Sequence, residues 1–388
     1  MLAQTKTTAH PRVLCVSSYF LEHGGGVENV AHELAQHFAK VMQWPTTLAA
    51  HTTGETPNTP ATGYQRFALQ CWNGIEAATG LPVIIPNPFH VFGLLRRLRD
   101  FDLVMVHEEI YISNFLVIIW SLLTGMPLVV VKHTGIVPLK NHPALHWLLL
   151  GVTRFISRPL LRRAARTVFV TKAKRDNYDP EHSIKNALVI PNGIDTDCFH
   201  LPEPAAPPRE GIVFVGRFVE SKGLAILRHL TGTLADIPFT LIGWGPENPD
   251  DWGYENTTVI LKPARATIAQ ILRQSRLALV PSNGEGIPLV AMEALSCGTA
   301  TMLGTGSDGT ENTISDQLIY VHADLTQPEQ AAALWADKIR EVLAVEDDPE
   351  AQAARHDAVE AGHSRTAMCR AYADIVRDIL KARGPLAG

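Results

Sequence analysis

The chain reads as an α/β protein made of two doubly wound parallel-sheet domains, and three features of the sequence predict it. Short apolar runs alternate with helical patterns twice over along 388 residues, a length too great for one ordinary core. The segment Leu201-Pro-Glu-Pro-Ala-Ala-Pro-Pro-Arg209 separates the two series and is too proline-rich for helix or sheet, which makes it an extended linker. In both series a strand runs into a glycine-bearing turn, the place where sheets of this kind hold ligands. The predicted limits are 1–200, a linker at 201–210, 211–350, and a terminal helical segment at 351–388.

Residues 13–16 form the first strand, and Val27, Val30, Ala31, Leu34, Ala35 and Phe38 then recur on one helical face. Further strands are predicted at 47–50, 103–106, 128–131, 167–170 and 187–190. Residues 110–131 are uncharged for 22 positions, long enough to span a bilayer by hydropathy alone. Gly125-Met-Pro127 instead breaks them into a helix over about 115–123 and a valine-rich strand, so both pieces are predicted to be buried. The second series places strands at 212–215, 239–242, 259–261, 277–280 and 300–303, and beyond Tyr320 the pattern turns helical.

Hydrophobic content of 46% with 19% charged residues marks a globular chain, and a net charge of -5 argues against general nucleic-acid binding. The charge is uneven: from Ile110 to Arg175 there is no Asp or Glu but there are ten Lys or Arg. Within this stretch, residues 146–166 mix aromatics and leucines with Arg154, Arg158, Arg162, Arg163 and Arg166. They read either as a segment seeking an anionic membrane, extended by Arg96, Arg97 and Arg99, or as a core-packed helix with a solvated arginine face. Five scattered cysteines without metal-site spacing fit a reducing cytosol, and the N-terminal residues lack the apolar core of a signal peptide. The expected location is cytoplasmic, peripheral on the inner face of the plasma membrane where the basic segment docks.

The most informative segment is Pro281-Ser-Asn-Gly-Glu285-Gly-Ile-Pro-Leu-Val-Ala-Met-Glu293-Ala-Leu-Ser-Cys-Gly298. Gly284 and Gly286 permit a tight turn, Pro288 suits the first position of a helix running to about Cys297, and Gly298 stops it. Glu285 then lies in the loop at a strand's carboxyl end and Glu293 in the second helical turn, so one ligand can meet both. Helix amides there attract a diphosphate, and carboxylates accept hydrogen bonds from sugar or ribose hydroxyls. Glu293 sits among Leu289, Val290, Met292, Ala294 and Leu295, where an idle carboxylate would be costly. The second signal is Val213-Phe-Val-Gly216-Arg217-Phe-Val-Glu220-Ser-Lys222-Gly223, which sets two cations just past a strand end, suited to the charge of a leaving diphosphate.

In the first half, Gly24, Gly25 and Gly26 open the first helix and form a candidate phosphate or acceptor loop. His133 ends the strand Leu128-Val-Val-Val-Lys-His, and His107-Glu108-Glu109 ends another, both candidates for the reacting sugar or acceptor hydroxyls.

The spacing of Glu285 and Glu293 followed by Ala-Leu-x-Cys-Gly closely resembles the donor-site signature of the family 4 retaining glycosyltransferases of GT-B fold. The resemblance covers most of the chain and is most specific in the C-terminal half. It implies two Rossmann-like parallel-sheet domains facing an interdomain cleft, with a terminal helix crossing back to the N-terminal domain. It further implies metal-independent retaining transfer from a nucleotide-diphosphate sugar to a glycan or lipid-linked acceptor, with no cofactor beyond that co-substrate. Polysaccharide or cell-envelope glycan synthesis is the expected setting.

On this resemblance Gly216, Arg217, Lys222, Glu285, Gly286, Ile287, Pro288 and Glu293 bind the donor, with Glu293 on ribose and Glu285 on the sugar. His133, Arg217, Lys222 and Glu285 serve catalysis. No enzymic nucleophile is implied, because the leaving diphosphate takes the acceptor proton. Glu22 and His23 depart from the family's glycine-rich loop. Pro191-Asn-Gly-Ile-Asp195-Thr-Asp197 resembles the family's turn before the linker, so its Asp-x-Asp is not expected to bind metal. Gly304-Thr-Gly306-Ser-Asp308 is a further donor-side turn. Two other readings stay open: a non-hydrolysing sugar-nucleotide epimerase, and a binding module without turnover.

Overall fold

The computed structural model describes residues 10–23, 26–54, 63–74, 76, 84–135, 147, 150–203, 207–282, 288–304, 314–324 and 326–383. By contacts the chain divides into two compact units, Met1–Pro191 with Cys369–Gly388, and Asn192–Met368.

The first unit is built on strands β1 (Val13–Tyr19), β2 (Thr46–Thr52), β3 (Gln65–Trp72), β4 (Ile85–Pro86), β5 (Leu103–His107), β6 (Leu128–Lys132), β7 (Arg166–Phe169) and β8 (Ala187–Val189). They lie in the order β4-β3-β2-β1-β5-β6-β7-β8, parallel throughout except for the β3–β4 pair. Every residue of β1, β5 and β6 is buried, as sheets covered on both faces require of their central strands. Helices Pro88–Arg97, Ile112–Leu123 and Arg158–Leu161 share one core against this sheet, where Val91, Leu94, Val117, Ile118 and Leu161 meet Val104, Val106 and Val130. Helix Gly26–Lys40 packs on β1 and β2 and takes no part in that core, which puts it on the opposite face. There the terminal helix joins it, with Cys369 Sγ 3.9 Å from the Glu33 carbonyl and Arg377 over the Trp44 ring.

The second unit contains β9 (Ile212–Arg217), β10 (Phe239–Trp244), β11 (Thr257–Leu261), β12 (Leu277–Val280), β13 (Ala300–Gly304) and β14 (Leu318–Val321). All are parallel, in the order β11-β10-β9-β12-β13-β14. Alternate strand residues feed two cores. Ile212, Phe214, Phe239 and Leu241 pack against helices Leu224–Thr233 and Pro328–Ala344. Val213, Ile242, Ala278 and Val280 pack against helices Arg265–Gln274, Leu289–Ser296 and Pro349–His363. In each sheet the direction of winding reverses between two neighbours, β1 and β5 in the first and β9 and β12 in the second. That reversal opens a crevice beyond their carboxyl ends.

Several expectations need correction. The chain leaves the first unit at Pro191, ahead of the proline-rich segment, because Ile194 and Phe199 are buried in the second unit's core. Residues 351–368 stay with that unit too, since Val359 lies in the same core; only from Cys369 does the chain rejoin the first unit. Strands β3, β4 and β14 were not anticipated. In β3 only Leu69 is fully buried, which leaves its sequence without a clear apolar run. Residues 110–131 do split at Gly125, which has φ +68°, but the helix Ile112–Leu123 is not wholly buried. It leaves Ile112, Leu116, Trp120 and Leu123 exposed. Among the described residues no helix is long and apolar enough to cross a membrane.

The basic segment also differs from a simple helix. It forms a π-helical turn, Thr153–Ser157, continued by Arg158–Leu161. Arg158 is buried and donates from Nε to the Tyr178 carbonyl at 2.8 Å, so it anchors structure, while Arg154, Arg162 and Arg163 remain exposed.

Candidate active site

Gly216 and Arg217 end β9, and the register sets Gly216 beside Gly243 of β10. A Cβ on Gly243 would come within 1.8 Å of the Gly216 carbonyl oxygen, so the strands approach here only because a side chain is missing. The chain then makes a tight turn, Glu220–Lys222, and Gly223, with φ +79°, caps it and opens helix Leu224–Thr233. A Cβ on Gly223 would lie 2.3 Å from the carbonyl oxygen of Pro281, the residue that follows β12. Close backbone contact therefore pins the Lys222 turn to the end of β12, at the crevice. Burial lowers the Lys222 pKa, and repulsion from the Arg217 guanidinium lowers it further, so the two cations share one locality. An arriving diphosphate would relieve that repulsion.

Pro288 is the residue before helix Leu289–Ser296, with extended ψ of 144°, instead of its first helical residue. Its carbonyl accepts from the Ala291 amide at 3.0 Å. Glu293 lies in the second turn as expected, but it is not solitary. Arg265 Nη2, at the start of helix Arg265–Gln274, approaches its Oε1 at 3.3 Å and also lies over the Phe199 ring at 5.4 Å. Burial raises the Glu293 pKa, Arg265 opposes the rise and Asp195 adds to it. Asp195 itself receives a bidentate fork from Arg365, both contacts at 3.0 Å, and exposed Asp197 lies 3.6 Å from the same guanidinium. The Asp-x-Asp thus ties the turn to the start of the terminal helix. An isolated bridge between Ile194 and Ser364 holds the same junction.

In the first unit His133 follows β6 and is buried. Its Nε2 lies 3.0 Å from His107 Nδ1 and the two rings stack at 5.3 Å. Burial, with help from the charges of Lys174 and Lys132, pushes the His133 pKa down to about 3. Burial and the neighbouring His133 hold His107 well below its usual value. Both imidazoles are therefore neutral at neutral pH, and each supplies a hydrogen bond without a charge. Below them Lys132 Nζ is 2.6 Å from a carboxylate oxygen of both Glu108 and Glu109. Burial alone would depress the lysine pKa, and the two carboxylates reverse that to a net rise. Tyr178 donates to Glu109 at 2.8 Å, and Glu108 accepts from the amides of His133 and Thr134. Glu108 holds φ at +63°, and Asn114 Nδ2 fixes this turn by donating to the carbonyls of His107 and Glu108, each at 3.0 Å.

A cavity of about 230 Å³ opens nearby at the carboxyl ends of β1 and β2, lined by Tyr19, Phe20, Glu22, His23, His51, Thr52, Thr53 and Asn73. Tyr19 stacks on His23 at 4.1 Å and donates to Glu76, which also accepts from Tyr111. His51 contacts the Ser18 carbonyl through Nδ1 and Ser113 Oγ through Nε2, and burial brings its pKa down to about 4.

The structure thus gathers Gly216, Arg217 and Lys222 at one crevice, and His107, Glu108, Glu109 and His133 at another. Gly26 opens helix Gly26–Lys40. Gly24, Gly25, Glu285, Gly286 and Ile287 lie outside the described residues, as do 305–308 of the turn after Gly304. Sequence reading missed Arg265, Lys132, Tyr178 and Asn114. Only Lys132 carried a signal, a lysine inside an otherwise apolar strand run.

Two doubly wound parallel sheets in one chain, each collecting polar side chains where its winding reverses, define a GT-B glycosyltransferase fold. Residues 24–198 match Glycosyltransferase Family 4, and residues 209–345 match Glycosyl transferases group 1. The chain belongs to the family 4 glycosyltransferases. It is 27% identical over 250 residues to a D-inositol 3-phosphate glycosyltransferase of Mycobacteroides abscessus, a match that spans 56% of this chain and 54% of the relative. An alpha-maltose-1-phosphate synthase of Mycolicibacterium smegmatis is 25% identical, over 62% of this chain and 70% of its own length. Among solved structures, Anabaena HepE in complex with UDP superposes with a TM-score of 0.67 at 13% identity, covering 95% of this chain and all (100%) of that one. Sucrose-phosphate synthase from Thermosynechococcus elongatus gives a TM-score of 0.67 at 19% identity, covering 96% and 100%.

Proposed function

We propose that the chain transfers a glycosyl group from a nucleotide-diphosphate sugar to a glycan or lipid-linked acceptor, with retention of configuration and without a metal. The observation that carries this reading is the Arg217–Lys222 pair held at the end of β9 against Pro281. Two fixed cations at that point neutralise the charge that grows on the diphosphate as the glycosidic bond breaks, which is the role a metal fills elsewhere. Asp195 is an unsuitable metal ligand on this reading, because Arg365 occupies both its oxygens.

Glu293, oriented by Arg265, would accept from the ribose hydroxyls, and Glu285 from the sugar. The neutral His133 would hydrogen-bond the sugar or acceptor, and the leaving diphosphate would take the acceptor proton. The cavity at Tyr19 and His23 suits a polyhydroxylated acceptor, having a stacked aromatic wall and a carboxylate at Glu22. The UDP held by a protein of the same fold favours a nucleotide-diphosphate donor, and the inositol phosphate and maltose phosphate named for the sequence relatives favour glycosyl transfer among polyhydroxylated compounds. Arg154, Arg162 and Arg163 would face an anionic membrane on its cytoplasmic side.

Calorimetric titration with UDP, GDP and ADP in EDTA tests the donor site. One nucleotide should bind selectively, and Lys222→Ala should weaken it about 10- to 100-fold, the worth of one charge-assisted hydrogen bond. Turnover should fall further in Lys222→Ala than in Asp195→Ala. Equal losses, or nucleotide binding only when a divalent metal is added, would overturn the metal-free assignment.

A further inference from the structure

Helix Ile112–Leu123 contains no charged residue. Its inner side buries Ser113, Asn114, Val117, Ile118 and Ser121. In an ordinary surface helix the other side would be polar. Here it presents Ile112 (51% exposed), Leu116 (39%), Trp120 (38%) and Leu123 (75%), spaced four, four and three residues apart along one stripe. Neighbouring elements continue the apolar surface. Phe89 and Phe92, 82% and 59% exposed, stand on helix Pro88–Arg97, and Phe155, 75% exposed, on the turn Thr153–Ser157. Helices Pro88–Arg97 and Arg158–Leu161 both pack against Ile112–Leu123 over a shared core, so their outward sides form one face of the first unit. Single exposed apolar residues need no explanation, but seven on adjoining elements mark a surface that meets a partner.

The charges on this face select the partner. Arg96 lies over the Phe92 ring at 5.8 Å and Arg154 over Phe155 at 6.0 Å, while Arg162 and Arg163 are exposed just past helix Arg158–Leu161. Arg154 lies 3.7 Å from Glu181 with both side chains exposed, a weak tie that water and salt loosen. A second copy of the chain would set this arginine rim against itself across a two-fold interface, which like-charge repulsion disfavours. We infer that the face docks on an anionic lipid bilayer: Phe89, Phe92, Leu116, Trp120 and Leu123 enter the boundary between headgroups and acyl chains, and the arginines hold the headgroups. Aromatic and leucine side chains ringed by arginines are what such a boundary accommodates. The inference deepens the membrane part of the proposed function, yet docking needs no catalysis, so either can fail while the other stands.

Flotation of the full chain with vesicles of phosphatidylcholine alone, or of phosphatidylcholine mixed with phosphatidylglycerol, is the test. The protein should float with the mixed vesicles, less so as salt rises. Leu116→Glu/Trp120→Glu should lower the partition coefficient about tenfold or more, because it places charge where apolar side chains must enter. This variant changes exposed positions only, and it should keep the wild-type circular dichroism and nucleotide affinity. Arg162→Glu/Arg163→Glu should weaken flotation on the mixed vesicles alone. The inference is overturned if the wild type floats with neither vesicle, or if Leu116→Glu/Trp120→Glu floats undiminished. It is equally overturned if light scattering finds a wild-type dimer that this variant dissolves.

Discussion

Lys132 is an ammonium that water scarcely reaches, 1% exposed, held by two carboxylates and the face of Tyr178. Its worth lies less in the pair itself than in what its loss would leave behind, two buried carboxylates with no cation. Lys132→Met should therefore destabilise the first unit by about 3–5 kcal/mol, measured by urea denaturation, and Lys132→Met/Glu109→Gln should recover part of the loss. An unchanged midpoint in Lys132→Met would mean that the amides of His133 and Thr134 and the Tyr178 hydroxyl hold the two carboxylates without the ammonium. Such residues explain what could be read from sequence at this scale. Arg217 and Lys222 were legible because they and their flanking glycines fall within eight residues. Lys132 was not, because its partners lie 24 and 23 residues away on another strand's end, and only pairing makes a buried lysine reasonable. Arg265 was hidden for the same reason: it meets Glu293 only because their two helices pack together, 28 residues apart in sequence.

Among the elements, the turn Glu220–Lys222 is the one whose geometry tolerates least. Gly223 is constrained twice, by its φ of +79° and by the 2.3 Å approach to Pro281. Gly253 closes a similar turn at φ +73° with nothing within 4 Å. Gly253→Ala should then cost only the left-handed backbone strain, about 1 kcal/mol. Gly223→Ala should cost more, about 2–3 kcal/mol, and should weaken nucleotide binding, because the turn must move away from β12. Thermal unfolding and calorimetry on the two variants check both halves, and equal losses would mean that the contact with Pro281 relaxes at little cost. Elements built on an unbroken apolar run, Val13 to Val16 in β1, Leu103 to Val106 in β5, Leu128 to Val131 in β6 and Leu277 to Val280 in β12, were legible as buried strands. Those whose burial is one-sided or partial, β3 and β14, were not. Helix Ile112–Leu123 misled for a physical reason: hydropathy reports what a side chain prefers, whereas exposure is decided by which neighbours the fold supplies. Along its outer stripe the neighbours cover each side chain only in part, leaving 38–75% exposed.

For the molecule as a whole, the division into two sheets could be seen in the repeated alternation of runs, but the chain's return from the second unit to the first could not be derived from pattern alone. It is visible once the terminal helix is seen to bury Cys369, Tyr372, Val376 and Ile379 at helical spacing, far from the rest of the first unit in sequence. The distribution of buried histidines over the units then sets the response to acid. His51 and His133 are brought down to about 4 and about 3 by burial, and His107 lies well below its ordinary value, all in the first unit. In the second unit burial brings His363 down to about 4. Each is neutral when folded and binds a proton near pH 6.5 when unfolded, so the unfolded state holds more protons between about pH 6.5 and the folded value. Stability is therefore fully present above about pH 6.5 and declines as pH falls, by up to about 1.4 kcal/mol per pH unit for each such histidine. Glu28 and Glu293, raised mainly by burial, act with the opposite sign above the ordinary carboxylate range and offset part of this loss. With three of the four histidines in it, the first unit should unfold at a higher pH than the second. An acid titration followed by near-ultraviolet circular dichroism should show two steps, and His51→Gln should move the first step to lower pH without moving the other. A single cooperative transition would mean that the units unfold together, coupled more tightly than the acid instability of the first can overcome.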